Sequence, residues 1–347
     1  MKTLLRLLLK SQHQQNRSRP DQIEKGMTLV ELLVGAIMAF LIITPMLAFV
    51  VDMLNTDRRE QVKANTDQDI QAAVDFIAQD LSQAIYIYDN DGVNAIKAFL
   101  PPTVTGEDKT PILVFWKRQL LKNSLPVNSL TPLPKDCDPN AVPGAKGDCN
   151  DTYVLSLVAY YQFKNKDDTW CQPSGVLCPT RIARYQIQDG LRDSNGVPYS
   201  APAVSKAQEI SGAYNVGTPS NTPPAFDIAK PLENVTTKAT WGVAEVLVNY
   251  IDHNKVSLAG TECKIALGNP TDPKDTTKSL EETTLQLSDQ DTNSFYACVD
   301  TAKNIARVTI RGNSLRRLQA DAPYNPKSPA FFPTATVQVQ GLGGLGK

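Results

Sequence analysis

The chain has 347 residues, of which 41% are hydrophobic and 20% charged, a balance that allows a packed core and excludes wholesale disorder. A formal charge of −1 offers no basic field to attract nucleic acid, which is therefore not expected as a partner. Only two histidines occur, His13 and His253, so His-based metal sites and His-driven catalytic triads are all but excluded.

The first 26 residues are basic, with Lys2, Arg6, Lys10, Arg17, Arg19 and Lys25 against Asp21 and Glu24, a net of +4. An apolar run follows from Met27 to Val51, MTLVELLVGAIMAFLIITPMLAFVV, whose only charge is Glu31. A helix of that length reaches about 37 Å, enough to cross a hydrocarbon core of about 30 Å. Bases before the run and mixed charges after it predict a cytoplasmic N-terminus and a body beyond the membrane. A plain signal peptide or single-pass anchor is the ordinary explanation of such a run. A secretory signal, however, has a shorter apolar core followed by a small-residue cleavage site. Glu31 also needs a reason, because an acidic side chain at mid-helix in lipid costs about 2.5–3.5 kcal/mol and less nearer the interface.

The stretch Lys25-Gly26-Met27-Thr28-Leu29-Val30-Glu31 resembles the processing motif of type IV prepilins and pseudopilins. That resemblance implies cleavage by a membrane peptidase between Gly26 and Met27 and N-methylation of Met27. It further implies that Glu31 pairs with the N-terminal amine of a neighbouring subunit, setting register even where such a pair adds little net stability. Met27 stands where the family most often has phenylalanine. The implied partners are the prepilin peptidase, other pilins or pseudopilins, an inner-membrane platform protein and an assembly ATPase.

Past the membrane run, residues 52–69 are polar and rich in helix formers, and Pro45 is expected to kink the helix. Apolar residues then recur at helical spacing at Ile70, Ala73, Val74, Ile77, Leu81, Ala84 and Ile85. One helix is thus expected over 27–85, a membrane span (27–51) followed by an amphipathic half (52–85) on which a body packs. The wording of residues 54–89 resembles the helix-to-sheet passage of large minor pilins and J-type pseudopilins. Within that group it is most similar to the polysaccharide-secretion pseudopilins of cyanobacterial hormogonia. The likeness covers about residues 26–90 and implies a role in polysaccharide secretion and surface motility.

The body, 86–347, holds 22 of the 24 prolines and all six cysteines. Strand-like runs are expected at 112–118, 152–163, 180–188, 243–251, 294–299, 304–311 and 334–340. Their apolar–polar alternation favours antiparallel sheet, so the fold class is α+β: a long N-terminal helix packed on an antiparallel, loop-rich domain, pilin-like in outline. Long loops are expected at 119–150, 189–240 and 268–293. Proximity pairs Cys137 with Cys149, Cys171 with Cys178 and Cys263 with Cys298, one of 15 possible pairings and suited to an oxidising compartment. Zinc is disfavoured, since no C-x-x-C pair occurs.

Other chemistry is sparse. The tail at Gly341–Lys347 spells G-x-x-x-x-G-K but lacks the following Ser/Thr and helix of a phosphate loop, and reads as a glycine tail. Asp289, Asp291, Asn293 and Asp300 echo a calcium loop, although Ser294 replaces the required glycine, so a solvated acidic turn is favoured. Asp89, Asp91 and Gly92 read as a turn. Tyr160, Tyr161, Trp170 and Trp241 are candidate stacking platforms for a sugar, in a rival reading of the chain as an adhesin that binds exopolysaccharide. Strand positions more often send such residues to the core. With no nucleophile elbow or dinucleotide fingerprint, an enzyme is disfavoured and no cofactor is expected.

Overall fold

The computed structural model describes residues 28–101, 103, 106–126, 140–145, 147–164, 167–188, 241 and 243–342. The chain divides into two units, residues 1–57 and 58–347. In the first, every large apolar side chain from Leu29 to Leu54 is exposed, between 48% and 87%. The helix α1 (Leu29–Ser82) runs through Pro45 and is long and apolar enough to cross a membrane.

Within the second unit, α1 is amphipathic. Thr66, Ile70, Ala73, Val74, Ile77, Asp80 and Leu81 are buried, recurring every three or four residues as a single helical face requires. Ile70, Val74, Ile77 and Leu81 contribute about 1.5–3 kcal/mol each by leaving water. The helix stops three residues earlier than its spacing predicts. Ala84 and Ile85 belong to β1 (Ala84–Ile87), where the β-branched and aromatic sequence AIYI pairs with β2 instead of extending the helix.

A five-stranded sheet has the order β1-β2-β3-β4-β5, with β2 (Lys109–Pro126), β3 (Cys149–Phe163), β4 (Thr180–Gln188) and β5 (Glu245–Ile251). A four-stranded sheet has the order β11-β10-β9-β8, formed by β8 (Gln286–Ser288), β9 (Phe295–Asp300), β10 (Ile305–Arg311) and β11 (Thr334–Gln340). Every pairing is antiparallel, as the alternation predicts. Side chains from α1 and both sheets share one core in which Phe115, Trp116, Tyr160, Phe295 and Ile310 are fully buried.

The predicted loops are more ordered than their composition suggests. β2 and β3 extend into the expected loop 119–150, because cross-strand pairing such as Leu120 with Tyr153 holds residues that are exposed to solvent. The expected loop 268–293 contains a small hairpin, β6 (Thr271–Asp272) with β7 (Asp275–Ser279), a helical turn at Glu282–Leu285, and β8. The loop 189–240 lies outside the described residues.

One close approach ties the residues just after β11 to the helix–sheet junction. The Gly341 amide donates to the Asn304 carbonyl, and the Leu342 amide to the Ala84 carbonyl. A Cβ on Gly341 would lie 2.2 Å from the Ala84 oxygen and 2.4 Å from Asn304 Nδ2. Backbone cannot yield as a flexible side chain does, so Gly341→Ala is expected to destabilise the body by about 1–3 kcal/mol, read as a lowered midpoint in chemical denaturation.

Candidate functional site

Gly26 and Met27 lie outside the described residues, whereas Glu31 is in the exposed first turn of α1. Its amide donates to the Thr28 carbonyl (3.0 Å) and to Thr28 Oγ1 (3.3 Å), so Thr28 occupies the capping position. Thr28-x-x-Glu31 is the spacing of a capping box, a signal present in the sequence beside the lone charge. A carboxylate in the first turn also meets the positive end of the helix dipole. Glu31 therefore has a local reason to sit where it does, and its side chain remains open to a further partner.

The acidic turn is solvated at Asp291, which is mostly exposed, but not at Asp289, and a lysine of the same chain lies between the two. Asp289 is buried, and the Lys164 ammonium lies 2.9 Å from its Oδ2, 2.8 Å from Asp291 Oδ2 and 3.6 Å from Asp108 Oδ2. Burial works against the Lys164 charge, but the hydrogen bonds to Asp291 and Asp289 outweigh it and hold the ammonium above the usual lysine range. Asn293 instead donates through Nδ2 to the Val256 carbonyl, and Asp300 Oδ1 accepts from the Lys303 amide. Among the described residues no group of three or more His, Cys, Asp or Glu side chains is arranged to hold a metal ion. Lys164→Met is expected to cost about 2–3 kcal/mol, because it strands the Asp289 carboxylate. Thermal melts should register that loss, while the unsubstituted protein melts at the same temperature with and without a calcium chelator.

Asp89 is likewise not a simple turn residue. It caps the short helix α2 (Asn90–Ile96), its carboxylate accepting from the Gly92 amide.

The sugar-platform candidates are mostly interior. Tyr160 and Tyr161 are buried and Trp241 nearly so, with Trp241 Nε1 donating to the Phe99 carbonyl; Trp170 is half-buried. Tyr160 donates to the carboxylate of Asp80 on the buried face of α1. Tyr161, with Phe163 and Tyr185, surrounds the Lys109 ammonium at 5.1–5.7 Å from the ring centres. Lys109 Nζ also contacts Glu107 (2.9 Å) and the Tyr185 hydroxyl (3.0 Å). The aromatic cluster is thus a cation cage filled by the chain's own lysine.

The structure contains Cys171–Cys178 and Cys263–Cys298 disulfides. Cys149 is also disulfide-bonded, and its expected partner Cys137 lies outside the described residues.

Two buried ionic groups escaped sequence reasoning. Asp80 accepts from Lys117 Nζ through Oδ1 and from Arg184 Nε and Tyr160 Oη through Oδ2, each at 2.7 Å, and so fastens α1 to β2, β3 and β4. Its signal was available, since Asp80 lies three residues after Ile77 on the apolar face. The fully buried Asp252 accepts from Arg311 Nε at 2.9 Å, from Asn254 Nδ2 at 2.8 Å and from Asn313 Nδ2 at 3.3 Å. This fixes the segment that carries His253 between a cavity of about 330 Å³ and a second of about 430 Å³.

Comparison of the chain with protein families, with curated proteins and with solved structures finds no match in any of the three.

Proposed function

We propose that the chain is a membrane-held subunit of pilin or pseudopilin type, drawn by its N-terminal helix into a filament or pilus tip. The observation that carries this reading is the single acid in the apolar run. Glu31 lies five residues past Gly26, on a helix whose apolar side chains are exposed over the first half and buried against a β-rich body over the second. Exposed apolar surface of that length calls for lipid or other helices. In such an assembly a cationic Met27 amine and the Glu31 carboxylate of a neighbour would neutralise each other where neither is tolerated alone. The body then has no bond-making role. Its service would be packing, with the prepilin peptidase, a platform protein, an assembly ATPase and other pilins as partners, and polysaccharide secretion or motility as the process served.

The N-terminal peptide of the protein from its native membrane tests this by mass spectrometry. An N-methylated peptide beginning at Met27, replaced in Gly26→Ala by an intact leader, is the expected result. An intact leader in the unsubstituted protein would overturn the reading in favour of an anchored surface protein.

A further inference from the structure

The walls on either side of His253 differ in character. The 330 Å³ cavity is lined by the apolar residues Leu177, Pro179, Ile251, Ala322 and Pro323 together with Cys178 of a disulfide. The adjoining 430 Å³ cavity shares Leu177, Cys178, His253 and Asn254 with it but opens onto Lys164, Lys255, Asp108 and Asp291. An apolar chamber thus has a charged mouth, with an imidazole at the boundary.

The remaining polar side chains of the chamber are committed. Asp321 accepts from the Val176 and Leu177 amides at 3.3 and 2.9 Å, and Arg316 Nε donates to the Leu177 carbonyl at 3.3 Å. Asn254 Nδ2 and Asn313 Nδ2 both donate to the Ala322 carbonyl, and Asn313 Oδ1 accepts from the Arg316 amide. These bonds, with the Cys171–Cys178 disulfide, preform the chamber. Among the described residues the His253 ring makes no hydrogen bond. Burial lowers its pKa, Lys164 and Arg316 lower it further, and Asp252 and Asp321 oppose them, so the ring is neutral near pH 7 with one donor and one acceptor.

We propose that this cavity binds a small uncharged molecule with an apolar body and one hydroxyl or carbonyl group, the polar group bonding to the His253 imidazole. Size sets the scale. A dry cavity of about 150 Å³ accommodates benzene, so twice that volume admits a body of roughly ten heavy atoms. Charge is excluded because an ion entering an apolar chamber loses its water without a free partner, Arg316 and Asp321 being already engaged. The site is independent of the membrane helix, so its failure would leave the assembly reading untouched.

The scarcity of histidine supplies the test. In full-length protein labelled with ¹³C and ¹⁵N at histidine, held in detergent micelles, only His13 and His253 give ring signals, and His253→Gln assigns them. Titration with p-cresol is expected to move the His253 signal to saturation while leaving His13 in place. Toluene, the same body without the hydroxyl, should bind about two- to tenfold more weakly. Ala322→Leu, which fills the chamber, should abolish the response. A shift that never saturates in the unsubstituted protein, equal binding of p-cresol and toluene, or an unchanged response in Ala322→Leu would each overturn the proposal.

Discussion

Asp80→Asn is expected to lower the stability of the body by about 3–5 kcal/mol, because it leaves two buried cations without their carboxylate. Lys117, Arg184 and Asp80 are each less than one-tenth exposed, and Glu245, the other acid near Arg184, stands 3.9 Å away and is mostly exposed. The cluster therefore holds one positive charge in excess. Lys117→Met removes that excess and leaves Asp80 bonded to Arg184 and Tyr160, so it should cost far less than Asp80→Asn, at most about 1 kcal/mol. This ordering, read from denaturant midpoints, separates charge balance from hydrogen-bond number; equal losses in the two variants would refute it.

The same carboxylate predicts how the body responds to acid. Burial works to raise the Asp80 pKa, yet the hydrogen bond from Lys117, the charge of Arg184 and the Tyr160 hydroxyl outweigh it and hold the group below the ordinary value of 3.8. A carboxyl lowered in the folded state contributes stability that is fully present above pH 4 and disappears as pH falls through its folded value. Asp89 acts in the opposite sense, since burial raises its carboxyl and its protonation favours the fold. Asp80→Asn should therefore melt with a weaker dependence on pH below 4 than the unsubstituted protein, while the Asp89 contribution, common to both, offsets part of the acid loss in each.

What the sequence disclosed follows from the range of the forces involved. The buried face of α1 was legible because Ile70, Val74, Ile77 and Leu81 repeat at the helical period, a signal carried within a dozen residues. The antiparallel strands were legible for the same reason, through alternation along β10 and its neighbours. The end of α1 was not. Ala84 and Ile85 satisfy the helical spacing as well as they satisfy a strand, and only the partner strand at Lys117–Phe115 decides between them. The hairpin at 271–279 carries no apolar pattern at all, since it rests on pairing and turn bonds such as Asp272 Oδ1 accepting from the Lys274 amide.

Candidate sites divide along the same line. Glu31 was legible as a lone charge in an apolar run, although its role in the first turn of α1 required the Thr28 spacing to be noticed as well. Asp289 and Asp291 drew attention by their spacing, but the ion that answers them is Lys164, about 125 residues earlier in the chain, which no local pattern can supply. The chamber at His253 is assembled from residues near 177, 251 and 322, so it too exists only after folding. Aromatic residues misled for a related reason. Their affinity for sugars and for a protein interior has the same physical origin, and in Tyr160, Tyr161 and Trp241 the interior prevails.

Removing the Cys263–Cys298 disulfide by paired substitution to alanine should cost about 4 kcal/mol, since it closes a separation of 35 residues in the unfolded chain. Cys171–Cys178 closes a separation of only seven, and the same chain-entropy argument gives it about 2 kcal/mol. The ranking has a packing component as well. Cys263 and Cys298 are buried with Leu267, Leu285 and Tyr296 in a small second core, which has few other apolar contacts to fall back on. A second tie backs this disulfide. The Glu282 carboxylate accepts from the Cys263 and Lys264 amides at 2.6 and 2.9 Å, capping the short helix at Glu262–Ala266. Adding Glu282→Gln to the disulfide-free variant should therefore cost more than Glu282→Gln alone, by a coupling of about 0.5 kcal/mol or more. Melting of each variant as the full chain in detergent measures these quantities, and added reductant reports the disulfides together. A body that keeps its midpoint under reduction would mean that the second core holds without its disulfide. Loss of that midpoint is the result expected of a domain built for an oxidising compartment, on the side of the membrane where the proposed assembly would place it.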